Sequence, residues 1–181
     1  NNISGNTKRL YHELLSIGRI LLIWINENTP TLKAINSSIS LPEMIENSPM
    51  NLMRIIHYPP LNSDVTDGAL RAAAHCDINL ITVLPAASQP GLQVQTKEDE
   101  WLDVECNPGW LVINTGDMLQ ECSDGHYPST IHRVVNPIAK YAHLSRYSMP
   151  LFIHPRDEVI LSKRYSAKKY LDERLRDIGL K

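Results

Sequence analysis

Long hydrophobic runs are missing from this sequence: the longest, Ile20 to Ile25, has six residues, against the roughly 18 needed to cross a bilayer. No segment reads as a membrane span. Nothing near the first residue combines a basic stretch, an apolar stretch and a small-residue cleavage site. With Asn1 rather than Met at its start, the chain is expected to be a fragment or processed product, not a secretory precursor. Charge of one sign is also lacking. Lys and Arg number 18 against 20 Asp and Glu, so no global basic field exists to hold a nucleic-acid backbone or an anionic membrane, and any bound anion must meet a local cation. Cysteine is sparse: Cys76, Cys106 and Cys122 are an odd number without Cys-x-x-Cys spacing, which argues against a disulfide framework and against a cysteine zinc site. Free thiols in a reducing, cytoplasmic setting are expected. A Gly-rich phosphate loop and a Gly-x-Ser-x-Gly elbow are both missing, which removes the usual nucleotide and hydrolase readings.

What is present is an ordinary globular balance, 43% hydrophobic and 21% charged over 181 residues, enough for one domain with a sizeable core. Thr7 can cap a helix at 8–26 whose apolar stripe is Leu10, Leu14, Ile17, Leu21, Trp24 and Ile25, ended by Asn26 to Pro30. Residues 31–50 read as loop with a short helical turn around Pro42 to Glu46. From Asn51 onward, short β-type runs alternate with turn clusters. They are Leu52–Tyr58, Leu80–Leu84, Leu92–Gln95, Trp101–Val104, Trp110–Asn114, Met118–Cys122, Ile131–Val135 and Arg146–Ile153. So many short strands imply a closed or doubled antiparallel architecture, with a jelly roll the leading candidate. Ser166 precedes a last helix with Leu171, Leu175 and Ile178 on one face and Gly179 as its stop. The expected organisation is a helical segment, 1–50, packed on a mainly β core with its own terminal helix, 51–181. Trp101 and Trp110 are expected to fill the core between sheets, and Lys97 to Glu100 to form a solvated hairpin tip.

Three groups of residues can carry chemistry. His75 and Asp77 sit two apart, which in an extended segment puts both side chains on one face; taken alone, a solvated or capping role competes evenly. His132 lies in a β-type run 55 residues beyond Asp77. Two imidazoles and a carboxylate form the facial triad that suits Fe(II), leaving three positions open for O2 and a chelating cosubstrate. For His132 alone, a hydrogen bond within a sheet is the competing reading. Arg146 and Ser148 share a strand face 14 residues after His132, and a guanidinium beside a hydroxyl suits the distal acid of a small dicarboxylate. Each motif alone is weak, and the order and spacing carry the weight.

From Asn51 onward the chain resembles the isopenicillin N synthase-like branch of the iron(II)/2-oxoglutarate-dependent dioxygenases. The motifs run in that family's order: Arg54-Ile55-Ile56-His57-Tyr58-Pro59-Pro60, His75-x-Asp77, Pro90-Gly91-Leu92-Gln93-Val94, Asn114-Thr115-Gly116-Asp117, Ser129-Thr130-Ile131-His132-Arg133-Val134 and Ser145-Arg146-Tyr147-Ser148. The resemblance implies a distorted jelly roll (double-stranded β-helix) in which His75, Asp77 and His132 bind iron. It further implies that Arg146 and Ser148 bind the C5 carboxylate of 2-oxoglutarate. Tyr58 contributes a hydroxyl to the same cosubstrate or, equally, is a core aromatic beside two prolines. Members of the branch carry a further N-terminal region, so the chain is expected to be the catalytic core of something longer. Cys76 stands where a small hydroxyl residue is usual, and is expected to be a small buried hydrophobe. His57, His126, His143 and His154 are expected to be surface or hydrogen-bonding histidines. The implied activity is oxidation of a small organic substrate by hydroxylation, desaturation or cyclisation. Two alternatives stand: an Fe(II) oxidase that does without 2-oxoglutarate, its Arg146 and Ser148 holding a substrate carboxylate, or a non-catalytic metal-binding jelly roll.

Overall fold

The computed structural model describes residues 3–29, 39–61 and 68–180; part of the expected loop at 31–50, and Pro30, lie outside them. The first helix, α1 (Ile3–Asn28), begins before Thr7, which is therefore an interior residue and not its cap. Leu14, Gly18 and Leu22, four apart, form its most deeply buried line. At Gly18 a side chain would run into Ile153 Cδ1 and stand 3.3 Å from Val83 Cγ2, so the missing Cβ lets the helix lie directly on the sheet. Trp24, expected in the buried stripe, is 59% exposed, because at about 100° per residue it is turned about 160° from Leu22. A single turn, α2 (Leu41–Met44), follows, entered through the reciprocal cap of Ser40 and Glu43.

The strands are β1 (Leu52–Met53), β2 (Ile56–Tyr58), β3 (Leu70–His75), β4 (Ile81–Pro85), β5 (Leu92–Gln95), β6 (Trp101–Asp103), β7 (Leu111–Thr115), β8 (His132–Val135), β9 (Arg146–Ser148) and β10 (Leu151–Ile153). They form sheets ordered β1-β10-β4-β7 and β3-β8-β5-β6, with β2-β9 as a separate pair, all antiparallel. This is the expected jelly-roll class. Strand alternation divides the first sheet's faces: Ile81, Val83, Leu151 and Ile153 are fully buried within the core that includes Leu14 and Leu22 of α1. Thr82, Asn114 and Phe152 point the other way, into the space between the sheets.

Several expected strands are corrected. The runs Leu52–Tyr58 and Arg146–Ile153 each break in two: β1 pairs with β10 in one sheet, while β2 pairs with β9 outside it. The two runs stay opposite each other in one register on both sides of the break, which falls at Pro150, a residue with no amide to donate to a ladder and whose carbonyl accepts from Arg54 N. Met118–Cys122 is helical, within α3 (Asp117–Cys122), whose buried residues Met118, Leu119 and Cys122 have helical rather than alternating spacing. Trp110 is 57% exposed, and Trp101 lies under the Arg133 guanidinium, 3.9 Å from its ring centroid, rather than between sheets. The last helix, α4 (Ala167–Asp177), is capped by Ser166, which accepts from Lys169 N, and ends with Gly179 at φ +73°. Ile178, expected on its apolar face, is 60% exposed.

Gly116 sets one close approach. A Cβ there would collide with the backbone and side-chain oxygens of Asn79, so Gly116→Ala should destabilise the fold by about 1–3 kcal/mol, the usual cost of forced overpacking, read as a lowered urea midpoint.

Candidate metal centre

His75 ends β3 and His132 opens β8, and the two are directly opposite in the antiparallel register. Their ring centroids are 4.4 Å apart. The β3 register slips twice before His75, and such irregularities re-aim side chains beside functional sites. Asp77 lies beyond the end of β3 rather than on it, so the shared strand face inferred from spacing does not apply; the turn into β4 returns its carboxylate to the two rings. Asp77 Oδ1 lies 3.8 Å from His132 Nε2, and one donor atom from each of the three residues lies within 4.8 Å of the others.

Neighbouring groups orient all three. His75 Nδ1 donates to Ala73 O at 2.8 Å and His132 Nδ1 to Thr130 O at 2.9 Å. A carbonyl only accepts, so each Nδ1 is the protonated nitrogen, the tautomer in which Nε2 is the nitrogen available to a metal. Asp77 Oδ2 accepts from Thr82 Oγ1 at 2.6 Å and from Asn114 Nδ2 at 2.8 Å. Oδ1 is the oxygen left facing the histidines.

Arg146, on β9, is 2% exposed. Its Nε donates to Gln89 O at 3.0 Å, its guanidinium lies 5.3 Å from the centroid of the Tyr58 ring, and its buried Nη1 has no partner. No carboxylate among the described residues pairs with it. A buried, unpaired guanidinium is costly unless an anion completes it, and burial accordingly pulls its pKa below the usual arginine value. Tyr58 is directly opposite Arg146 in the β2–β9 register. Ser148, buried, follows two residues after Arg146 on the same strand. One cavity of about 70 Å³ is lined by His75, Asp77, His132, Arg146, Ser148 and Tyr58 together, with Thr82 and Asn114 among its other walls. The six residues expected from sequence thus meet at one place.

The remaining histidines stand apart. His57 Nε2 is 3.0 Å from Ser145 Oγ and its ring stacks on Tyr147; His126 packs edge-on against Tyr127. Burial lowers the His154 pKa, which favours the neutral ring. Cys76, expected to be buried, is half-buried, and burial pushes its thiol up. Sequence reasoning missed Thr82, and gave no role to Asn114 although its Asn-Thr-Gly-Asp motif was recognisable. It also missed Arg71 of β3, whose Nη2 donates to Pro59 O at 3.1 Å and whose guanidinium sits 5.9 Å from the Tyr58 ring.

Residues 49–155 match the family model of the 2OG-Fe(II) oxygenase superfamily. The chain belongs to that superfamily. A crystal structure of a Shewanella oneidensis protein described as an oxygenase is 53% identical, with a TM-score of 0.88 over 97% of this chain and 64% of that one. The 2-oxoglutarate-dependent dioxygenase citB of Monascus ruber is 43% identical over 97 residues, 52% of this chain and 30% of its own. Neurospora crassa T7H, crystallised with α-KG and thymine, is 32% identical with a TM-score of 0.64, over 71% of this chain and 44% of that one. The chain therefore spans about a third of the curated relative's length and under two thirds of the Shewanella protein's. The superfamily's cofactors are Fe(II) and 2-oxoglutarate, with O2. The donor set here fits them: two imidazoles and one carboxylate are the donors that suit non-haem Fe(II), and the unpartnered Arg146 Nη1 suits a carboxylate.

Proposed function

We propose that this chain is the catalytic core of an Fe(II)- and 2-oxoglutarate-dependent oxygenase acting on a small organic molecule. The observation that carries this reading is a three-donor cluster and a buried, uncompensated guanidinium opening into one cavity. His75, Asp77 and His132 hold the metal, whose net charge of about +1 after Asp77 is counted favours a dianionic chelator. Arg146 and Ser148 hold the far carboxylate. Tyr58 backs the guanidinium with its ring face, a contact worth about 0.5–2 kcal/mol, and completes the wall beside the cosubstrate. Iron, when bound, supplies the redox chemistry in which O2 oxidises the keto acid to succinate and CO2 and oxidises the substrate. The protein's part is to orient and enclose. The thymine in the T7H complex sets the size class of substrate that this reading favours. Three unpaired cysteines support a reducing, cytoplasmic setting.

The competing reading gives Arg146 and Ser148 to a substrate carboxylate and dispenses with 2-oxoglutarate. Adding 2-oxoglutarate anaerobically to the Fe(II)-loaded protein separates the two. A visible charge-transfer band, followed by succinate on admitting air, is the expected result; no band and no succinate would overturn the cosubstrate assignment.

A further inference from the structure

We infer that Thr82 and Asn114 are positioning residues that restrict Asp77 to ligation through a single oxygen, and so keep open the coordination position that O2 needs. The inference rests on the iron and 2-oxoglutarate reading above and deepens it. A metal taking six donors has three positions left after His75, His132 and one Asp77 oxygen. A chelating keto acid takes two, leaving one. If Asp77 bound through both oxygens, the count would close with no position for a gas.

A carboxylate beside a small cation can bind either way, so something must decide. Here Asp77 Oδ2 takes two short hydrogen bonds, from Thr82 Oγ1 at 2.6 Å and Asn114 Nδ2 at 2.8 Å, which occupy the lone pairs a second metal bond would use. Asn79 Nδ2 in turn donates to the same Oγ1 at 2.8 Å, so the hydroxyl accepts on one side and gives its proton to Asp77 on the other. The Thr82 side of this network is dry, with Asn79 0%, Thr82 2% and Asp77 7% exposed, where hydrogen bonds to a charged group are strongest; Asn114 is half-buried.

The donors also stand on rigid supports. Thr82 and Asn114 are register partners in the β4–β7 ladder, so both N–H and O–H donors reach Oδ2 from adjacent strands. The Asn-Thr-Gly-Asp turn locks the Asp77 loop from the other side: Asp117 N donates to Asp77 O at 2.8 Å and Met118 N to Asn79 O at 3.1 Å. Gly116 leaves the room that Asn79 fills. The motif thus serves the metal centre without supplying a ligand.

The test uses the chain as it stands, with Thr82→Val, which removes the hydroxyl at nearly constant volume in a strand, Thr82→Ser, which keeps it, and Asn114→Ala. Three readouts are taken anaerobically: Fe(II) affinity by titration, the 2-oxoglutarate charge-transfer band, and the electron paramagnetic resonance signal of nitric oxide, which needs one open metal position. Thr82→Val and Asn114→Ala should each weaken Fe(II) binding about 10–100-fold, as loss of partners to a ligand does. At saturating iron they should keep the band but lose most of the nitric oxide signal, and Thr82→Ser should recover both. Weaker iron binding with the nitric oxide signal intact would mean that the bonds only stiffen the loop, and would overturn the inference. So would parent-like behaviour of Thr82→Val, which carries the test even if Asn114→Ala does not fold. If the unsubstituted chain binds no iron, it is the functional reading that fails, which the parent titration reports separately.

Discussion

His132→Ala is expected to abolish iron binding and turnover while leaving the fold intact. Removing a group that merely orients a ligand costs about 10–100-fold in metal affinity, so removing one of three ligands should cost more than about 100-fold and leave no metal bound at micromolar iron. The fold has little to lose. His132 sits at the first position of β8, and the neighbouring Arg133, Val134 and Val135 keep their pairing to β3 and β5. What disappears is a cross-strand ring contact with His75 at 4.4 Å and a hydrogen bond to Thr130 O, together about 1 kcal/mol. Circular dichroism and the urea midpoint should stay close to the parent's while a metal titration becomes flat. Parent-like affinity in His132→Ala would refute the centre, because His57, His126 and His154 all have other partners and none belongs to the cluster.

What the sequence made legible was chemistry carried by rare residue types in a fixed order. Two histidines, an aspartate and an arginine have few structural uses among short apolar β runs, so His75, Asp77, His132 and Arg146 stand out against the sequence around them. Thr82 and Asn114 do not, because threonine and asparagine are common in strands and turns, and their meeting at Asp77 depends on a ladder joining segments 32 residues apart. The five-residue run Met118–Cys122 was ambiguous for another reason: periodicity cannot separate a short buried strand from one buried helical turn. The decision came from outside the run, where amides of the turn after Gly116 reach carbonyls of the Asp77 loop. The two long β runs broke for a reason that was partly visible, the proline at 150. That the two runs keep facing each other across the break while only β10 goes on to pair with β4 depends on the neighbouring strand and on neither run alone.

Arg146→Met should move stability and cosubstrate binding in opposite directions. In the free protein the guanidinium is 2% exposed, holds one carbonyl through Nε and has a buried Nη1 with no partner. Breaking up a buried ionic arrangement in favour of an apolar side chain of similar size often stabilises by about 1–4 kcal/mol. The lost bond to Gln89 O and the lost contact with Tyr58 each offset about 1 kcal/mol of that. The net expectation is a urea unfolding free energy from about 1 kcal/mol below the parent's to about 2 kcal/mol above it, with the middle of that range slightly above. Binding should fall steeply, since truncating one partner of a buried charge pair costs about 2–5 kcal/mol, roughly 30-fold to several-thousand-fold in Kd. Parent protein should also gain stability as 2-oxoglutarate is added to the metal-loaded form, because a ligand bound only by the folded state stabilises it; Arg146→Met should not. Arg146→Lys keeps the charge but loses the planar fork, and should bind between the two. A clear loss of stability in the metal-free Arg146→Met protein, with 2-oxoglutarate binding unchanged, would make the guanidinium a structural strut between β9 and the Gln89 carbonyl. Stability retained and affinity lost would instead mean that the fold keeps a buried charge without an internal counterion because a carboxylate ligand supplies one.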